Sequence, residues 1–107
     1  MATTLHILCP AKINLFLHVR RRRPDGYHDI FSLMCRIGLY DRIELAAGDG
    51  AIRLGCSDPE LPTDEGNLAF RAARSFYDAW GRPGGADIRL DKHIPSGAGL
   101  GGGSSNA

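Results

Sequence analysis

The sequence lacks the features that would assign it to several large classes of protein. Lysine and arginine total 13 and aspartate and glutamate total 12, so a net charge of +1 gives no sign of a surface for nucleic acid or anionic membranes. The three cysteines form no CxxC pair, which argues against a zinc knuckle or a disulfide framework and predicts free thiols, buried or half-buried. Because no apolar run could span a membrane or serve as a signal peptide, we expect a soluble, cytoplasmic protein.

The first half of the chain alternates between apolar and polar residues, as β-strands do. Strands are predicted over residues 5–8, 13–19, 40–46 and 51–55, and an antiparallel arrangement is expected. The strand at 13–19 has one wholly apolar face. That face carries Ile13, Leu15, Leu17 and Val19, and the opposite face carries Lys12, Asn14, Phe16 and His18. A type I turn is predicted over residues 23–26 (RPDG), which have proline second and glycine fourth.

The second half contains one clear helix, predicted over residues 65–80. Asp64 is its expected N-cap, and Gly81 and Pro83 are expected to end it. Its apolar stripe is predicted to contain Leu68, Ala72, Phe76 and Trp80, with Ala69 and Ala73 beside them.

A strand predicted over residues 86–92 leads into a glycine-rich loop, after which a further helix begins near Ser104. This order of elements predicts an α+β domain. Because the last helix has only begun at Ala107, we expect residues 1–107 to be the N-terminal part of a longer protein whose remainder is absent from this chain.

The glycine-rich loop has the composition of an anion-binding site, since five of the seven residues 97–103 are glycine. Glycine reaches positive φ angles and lets backbone N–H groups approach a ligand closely. At the start of a helix such N–H groups attract phosphate. Ser104 and Ser105 could cap the helix, bind phosphate oxygens or help to hold Mg²⁺. A flexible Gly/Ser linker is the structural alternative.

Two common nucleotide-binding loops fit this segment poorly. A Walker A loop needs a lysine after its last glycine, and none follows here. A GxGxxG fingerprint does match at Gly97, Gly99 and Gly102, but it should lie in the first strand-to-helix turn of a parallel βαβ unit. Here several strands and a helix come first.

The pattern that remains, running from Pro95 through GLGGGSSNA, resembles the phosphate loop of the GHMP kinase superfamily, which includes galactokinase, homoserine kinase and mevalonate kinase. Two other segments, PAKINLFL at residues 10–17 and PDGYH at residues 24–28, resemble family motifs in the same order. Together they resemble the branch that phosphorylates a cytidyl diphosphate sugar alcohol during isoprenoid (terpenoid) precursor biosynthesis.

The resemblance implies a fold, a reaction and a set of residues. The fold is the GHMP kinase N-terminal domain, a left-handed βαβ α+β fold like domain 2 of ribosomal protein S5, incomplete in this chain. The reaction transfers a phosphoryl group from ATP, with Mg²⁺, to an alcohol. Lys12 is the implied catalytic residue, and Asn14, Tyr27 and His28 are the implied substrate-binding residues. The implied ATP-binding residues are Asn67, Lys92, Pro95, Gly97, Gly99, Leu100, Gly101, Gly102, Gly103, Ser104 and Ser105.

Other interpretations of the same residues stay open. From spacing alone, Lys12 and Asn14 could lie on a solvated strand edge, and Tyr27 and His28 could be surface packing residues. The family's catalytic aspartate is expected beyond Ala107, so we expect the 107-residue chain itself to be inactive, and no protein metal ligand is predicted. The protein could be a different small-molecule kinase of the superfamily, or a non-catalytic RNA-binding module of the S5-like fold. The near-neutral charge argues against the latter.

Overall fold

The structure, a computed structural model, describes residues 3–107. Its elements in chain order are β1 (Thr4–Arg22), β2 (His28–Gly48), β3 (Ile52–Cys56), α1 (Leu68–Trp80), β4 (Gly85–Asp91) and α2 (Gly102–Asn106). The four strands form one sheet in the order β1-β2-β4-β3. β1, β2 and β4 are antiparallel neighbours, whereas β3 is parallel to β4 and is connected to it through α1. The expected α+β class is confirmed.

The first two predicted strands are one long strand, β1, which pairs with β2 in a hairpin. The predicted turn at residues 23–26 closes it, with the Gly26 N–H donating to the Arg23 carbonyl at 3.0 Å. The register shifts at three points along the hairpin, one of them between Asn14 and Phe16. An irregularity of this kind interrupts the two-residue alternation of faces that the sequence predicted.

The half of this hairpin nearer the turn carries apolar side chains that are exposed, because α1 and α2 lie at the other end of the sheet. The exposed fractions of these side chains run from 37% at Ile13 to 63% at Phe31. The core is instead built where α1 covers the sheet, from Cys9, Ile43, Leu54, Ala69, Phe70, Ala86, Ile88 and Leu90. The hairpin also exposes Cys35, so the prediction of a buried or half-buried thiol is wrong there and right for Cys9 and Cys56.

Helix α1 begins three residues later than predicted, with Asn67 and not Asp64 as its N-cap. The Asp64 carboxylate accepts from the Gly66 N–H at 2.9 Å in a turn before the helix. The Asn67 side chain accepts from the Ala69 N–H at 3.0 Å. At the other end Gly81 adopts φ +70° and donates to the Tyr77 carbonyl, which confirms the predicted stop.

The buried side of α1 is rotated from the predicted stripe. Ala69 is buried as predicted, together with Phe70, which was not predicted, while the predicted Leu68, Phe76 and Trp80 are 38–60% exposed. The Tyr77 hydroxyl donates to the Gly85 carbonyl at 2.8 Å, which ties the Tyr77 side of the helix to the start of β4. Because only one side of α1 meets the sheet, the aromatic rings of Phe76 and Trp80 stay outside it. In the part of the chain described, no helix is long and apolar enough to cross a membrane.

Candidate functional site

The glycine-rich loop joins β4 to α2 and takes a backbone path that requires glycine. Gly97, Gly99 and Gly101 have φ angles of +73°, +74° and +70°, in the left-handed region. A residue with a side chain is strained there. The loop is therefore a defined structure and not a featureless linker.

Lys12 of β1 holds this loop by two hydrogen bonds. Its backbone N–H donates to the Leu100 carbonyl at 2.9 Å, and its ammonium donates to the Gly99 carbonyl at 2.9 Å. A Cβ atom at Gly101 would lie only 2.9 Å from the Lys12 side chain. Strand and loop are 87 residues apart in the sequence, so the fold unites the PAKINLFL and GLGGGSSNA segments.

Helix α2 starts at Gly102, two residues before the predicted Ser104, with Gly101 as its N-cap. The N-cap makes no side-chain hydrogen bond, and the first backbone bond of the turn runs from the Ser105 N–H to the Gly101 carbonyl at 2.9 Å. The N–H groups before Ser105 therefore have no acceptor within the helix. Ser104 and Ser105 lie within the helix, and no side chain caps it, so their hydroxyls are not the cap.

Behind the loop lies a buried polar cluster around Asp41, which the sequence reasoning missed. The Asp41 side chain is fully buried. One carboxylate oxygen accepts from the His93 and Ile94 N–H groups at 2.6 and 2.8 Å. The other accepts from the Lys92 ammonium at 2.5 Å and the Asn106 amide at 3.0 Å. A weak signal existed in the sequence, since Asp41 shares a strand face with the apolar Ile43 and Leu45.

Burial would by itself raise the pKa of Asp41, but its four donors oppose this. The donors are the Ile94 N–H, the Lys92 ammonium, the His93 N–H and the Asn106 amide, and they hold the pKa of Asp41 below its ordinary value of 3.8. The neighbouring Cys9 thiol has a raised pKa, mainly because it is buried and also because the Asp41 charge is near. Asp41 is therefore the anion of this cluster and Cys9 a neutral thiol.

Acid should weaken the fold through Asp41. A carboxyl whose folded pKa is depressed contributes stability in full above its unfolded pKa, about 3.9, and loses that contribution as the pH falls through the folded pKa. We expect Asp41→Asn to flatten the dependence of the unfolding free energy on pH below about pH 5, measured by urea denaturation. Asp87→Asn, which removes an exposed carboxylate of β4, is the control. An unchanged acid slope in the Asp41 variant would contradict this prediction.

Two predicted ATP-binding residues have side chains occupied by protein partners. The Lys92 ammonium bonds to both Asp41 and Asn106, and its side chain is 7% exposed. The Asn67 side chain caps α1 and donates to the Pro62 carbonyl at 3.1 Å. Contact between either residue and ATP stays a prediction.

The structure separates two of the three predicted substrate residues, Tyr27 and His28, from the loop. Asn14 is exposed on β1 near Lys12, but His28 pairs with Arg22 at the tip of the hairpin. The tip lies ten residues beyond Lys12 along β1, roughly 30 Å at the rise of an extended strand. Tyr27 precedes His28 and is 73% exposed. Lys12 and the glycine loop thus meet directly, whereas Tyr27 and His28 do not reach them in this arrangement.

This site has no set of protein side chains that could hold a metal ion without another ligand. Within residues 3–107, no three His, Cys, Asp or Glu side chains form a possible metal cluster. The donors near the loop are serine hydroxyls and backbone groups, which suit Mg²⁺ that arrives bound to a phosphate ligand.

Residues 67–107 match the family of the GHMP kinases N terminal domain. The chain is 55% identical over 98 residues, 92% of its length, to the 4-diphosphocytidyl-2-C-methyl-D-erythritol kinase of Salinibacter ruber. It is 50% identical over its whole length to the enzyme of the same name from Desulfotalea psychrophila. The chain spans 34% and 37% of these two relatives, about a third of each.

Two solved structures are also similar to this chain. The fold matches a crystal structure of 4-(cytidine 5'-diphospho)-2C-methyl-D-erythritol kinase with a TM-score of 0.75 and 47% identity, over 96% of this chain and 37% of the other. It also matches a homoserine kinase from Cytophaga hutchinsonii with a TM-score of 0.67 and 24% identity, over 96% of this chain and 31% of the other. The second likeness concerns the fold alone.

Proposed function

Since the chain belongs to the GHMP kinases, we propose that its protein transfers the γ-phosphoryl group of ATP to the 2-hydroxyl of 4-diphosphocytidyl-2-C-methyl-D-erythritol. The observation that carries the proposal is the double hydrogen bond from Lys12 to the glycine loop. These bonds place a cation beside a loop whose backbone N–H groups can bind phosphate, and phosphoryl transfer needs both a phosphate-binding loop and a nearby positive charge. We place the reaction in isoprenoid precursor biosynthesis in the cytoplasm.

In this proposal the glycine loop binds the phosphates of ATP, which enters with its Mg²⁺ ion. The N–H groups at the start of α2 and the hydroxyls of Ser104 and Ser105 face the phosphate oxygens. Phosphoryl transfer requires alignment and neutralisation of negative charge more than covalent help from the protein. Helix dipole and backbone N–H groups supply both in a loop whose shape is set before ATP arrives.

Lys12 supplies the side-chain cation at the transferring group. Its ammonium bonds one loop carbonyl and has capacity for two further acceptors. We propose that it contacts the γ-phosphoryl group and an aspartate supplied by a part of the protein outside this chain. That aspartate would accept the proton of the acceptor hydroxyl.

Asn14, Tyr27 and His28 are proposed to bind the cytidyl substrate. Tyr27 can stack on cytosine, and His28 can hydrogen-bond to the edge of the base. For this to occur, the hairpin tip must approach the loop more closely than it does here. The register shifts along β1 are the natural points for such a bend, because irregular pairing permits a change of strand direction.

The direct test is a phosphorylation assay of the full-length protein with ATP and the cytidyl substrate, followed by ³¹P NMR. We expect a new phosphomonoester on the 2-hydroxyl. Homoserine and galactose serve as competing acceptors. Preferred phosphorylation of either would assign the protein to another branch of the family.

Tyr27→Ala in the full-length protein should raise KM for the cytidyl substrate by about tenfold and leave KM for ATP nearly unchanged. Loss of one stacked base contact costs roughly 1–3 kcal/mol. Steady-state kinetics with each substrate varied in turn measures both constants. Tyr40→Ala, which removes a 41%-exposed tyrosine farther along the hairpin, is the matched control. If both KM values rose equally, Tyr27 would be a packing residue.

A further inference from the structure

We propose that Asp41 is a positioning residue that fastens both ends of the glycine loop and so sets the loop for ATP. This role deepens the proposed function and rests on it. Asp41 lies in β2, outside all three segments that resemble family motifs.

The bonds of Asp41 bracket the loop. On the side where the loop begins, one carboxylate oxygen accepts from the His93 and Ile94 N–H groups. On the side where α2 ends, the other oxygen accepts from the Asn106 amide. Residues 95–105 lie between these attachment points, and the glycine loop is within them. A single carboxylate therefore fixes the distance between the two ends of the loop.

Lys92 completes the fastening. Its ammonium bonds to Asp41 and also to the Asn106 side-chain oxygen at 3.0 Å. A Cβ atom at Gly102 would lie 2.9 Å from Ile94 and 3.1 Å from this ammonium, so the start of α2 packs closely against the group. Ile94 is itself 2% exposed. Side-chain bonds and tight packing thus hold the same two chain ends.

The cluster requires a carboxylate at position 41. All four partners of Asp41 are donors, and each carboxylate oxygen accepts from two of them. An asparagine would turn an NH₂ group toward either the two backbone N–H groups or Lys92 and Asn106, and it would remove the charge that pairs with Lys92. Donors would then face donors in a buried space.

These bonds act on the loop more directly than on the sheet. β4 pairs with β2 and β3 over residues 85–91, so its pairing does not use the groups that Asp41 binds. Loss of Asp41 should therefore loosen residues 92–106 while β4 stays in place. A looser loop must be ordered by ATP itself, and that cost weakens ATP binding.

The experiment compares Asp41→Asn with the unaltered full-length protein. We expect KM for ATP, and Kd for ATP by calorimetry, to rise about tenfold, while KM for the cytidyl substrate changes by less than about twofold. A purely structural loss would reduce the active fraction, which lowers kcat and leaves both KM values unchanged. Asp87→Asn is the control, because Asp87 is an exposed carboxylate of β4 that faces Arg53.

Hydrogen exchange gives a readout that does not depend on turnover. In Asp41→Asn, the amides of His93, Ile94 and Ser105, which are hydrogen-bonded in this structure, should exchange faster, and amides of residues 86–90 should lose less of their protection. If Asp41→Asn does not fold, Asn106→Ala provides the test, since it removes the bonds of Asn106 to Asp41 and to Lys92 and leaves Lys92 on Asp41.

The outcomes separate this proposal from the proposed function. An unchanged ATP affinity with unchanged loop exchange would overturn the role of Asp41, even in an active enzyme. So would an equal rise of exchange in loop and β4. If the unaltered protein bound ATP but did not phosphorylate the cytidyl substrate, the proposed function would fail, and a weaker ATP affinity in Asp41→Asn would still support the role of Asp41.

Discussion

Replacing Lys12 by methionine in the full-length protein should lower kcat by about 10² or more and change KM for the cytidyl substrate little. Losses of this size are typical when a charge that stabilises the transition state is removed. Methionine keeps the unbranched chain that packs beside Gly101. The Lys12 N–H bond to the Leu100 carbonyl also survives, because it is a backbone bond. The measurement therefore isolates the ammonium group.

Arg36→Met is the matched control for this variant. Arg36 is exposed on β2 and is the cross-strand partner of Lys12, so its replacement removes a cation from the same region of the sheet. We expect kcat to stay within about twofold of the unaltered value. If Lys12→Met kept its kcat and only raised a KM value, Lys12 would be a substrate anchor and not a catalytic residue.

Gly101→Ala should impair ATP use far more than Gly97→Ala, although both glycines have nearly the same positive φ. Backbone strain in the left-handed region costs about 1–2 kcal/mol at either position. At Gly97 the added methyl group would meet no atom within 4 Å. At Gly101 it would meet Lys12 side-chain carbons at 2.9 and 3.1 Å, so Lys12 must move. The two variants thus separate strain from displacement of Lys12.

We expect kcat/KM for ATP to fall about tenfold in Gly97→Ala and by about 10² or more in Gly101→Ala, with kcat falling strongly only in the second. Steady-state kinetics with ATP varied provides both values. Equal losses would mean that the loop's conformation matters but the contact with Lys12 does not.

Local chemistry made several elements predictable. The turn at residues 23–26 and the helix stop at Gly81 depend on proline and glycine within a few residues, and both are as predicted. The glycine-rich loop was predictable for the same reason, because the backbone of the loop itself requires glycine at these positions. The predicted N-cap was wrong because the Asp64 carboxylate accepts from the Gly66 N–H in a turn before the helix, and the Asn67 side chain caps the helix instead.

The side of α1 that is buried could not be predicted from the helix alone. Spacing placed Ala69 beside the predicted stripe, and Ala69 is buried, but Leu68, Phe76 and Trp80 of the stripe are exposed. The ring of Phe70, which the stripe did not include, fits against the sheet instead. The apolar hairpin is a similar case. Alternation predicted a strand correctly, yet whether Leu15 or Leu17 is covered depends on which elements lie beside it.

By itself the sequence determined the order of strands and helix, the glycine loop and the resemblance to the GHMP kinases, because each of these depends on residues close together in the chain. Only the tertiary structure decided that Lys12 bonds to the loop 87 residues away. It also decided that Asp41 accepts hydrogen bonds from residues that follow it in the sequence by 51 to 65 positions. In an alternating strand Asp41 is one more polar residue. It becomes the centre of a buried cluster because the sheet places β2 beside the end of β4, where the loop's N–H groups and Lys92 have no solvent to bind.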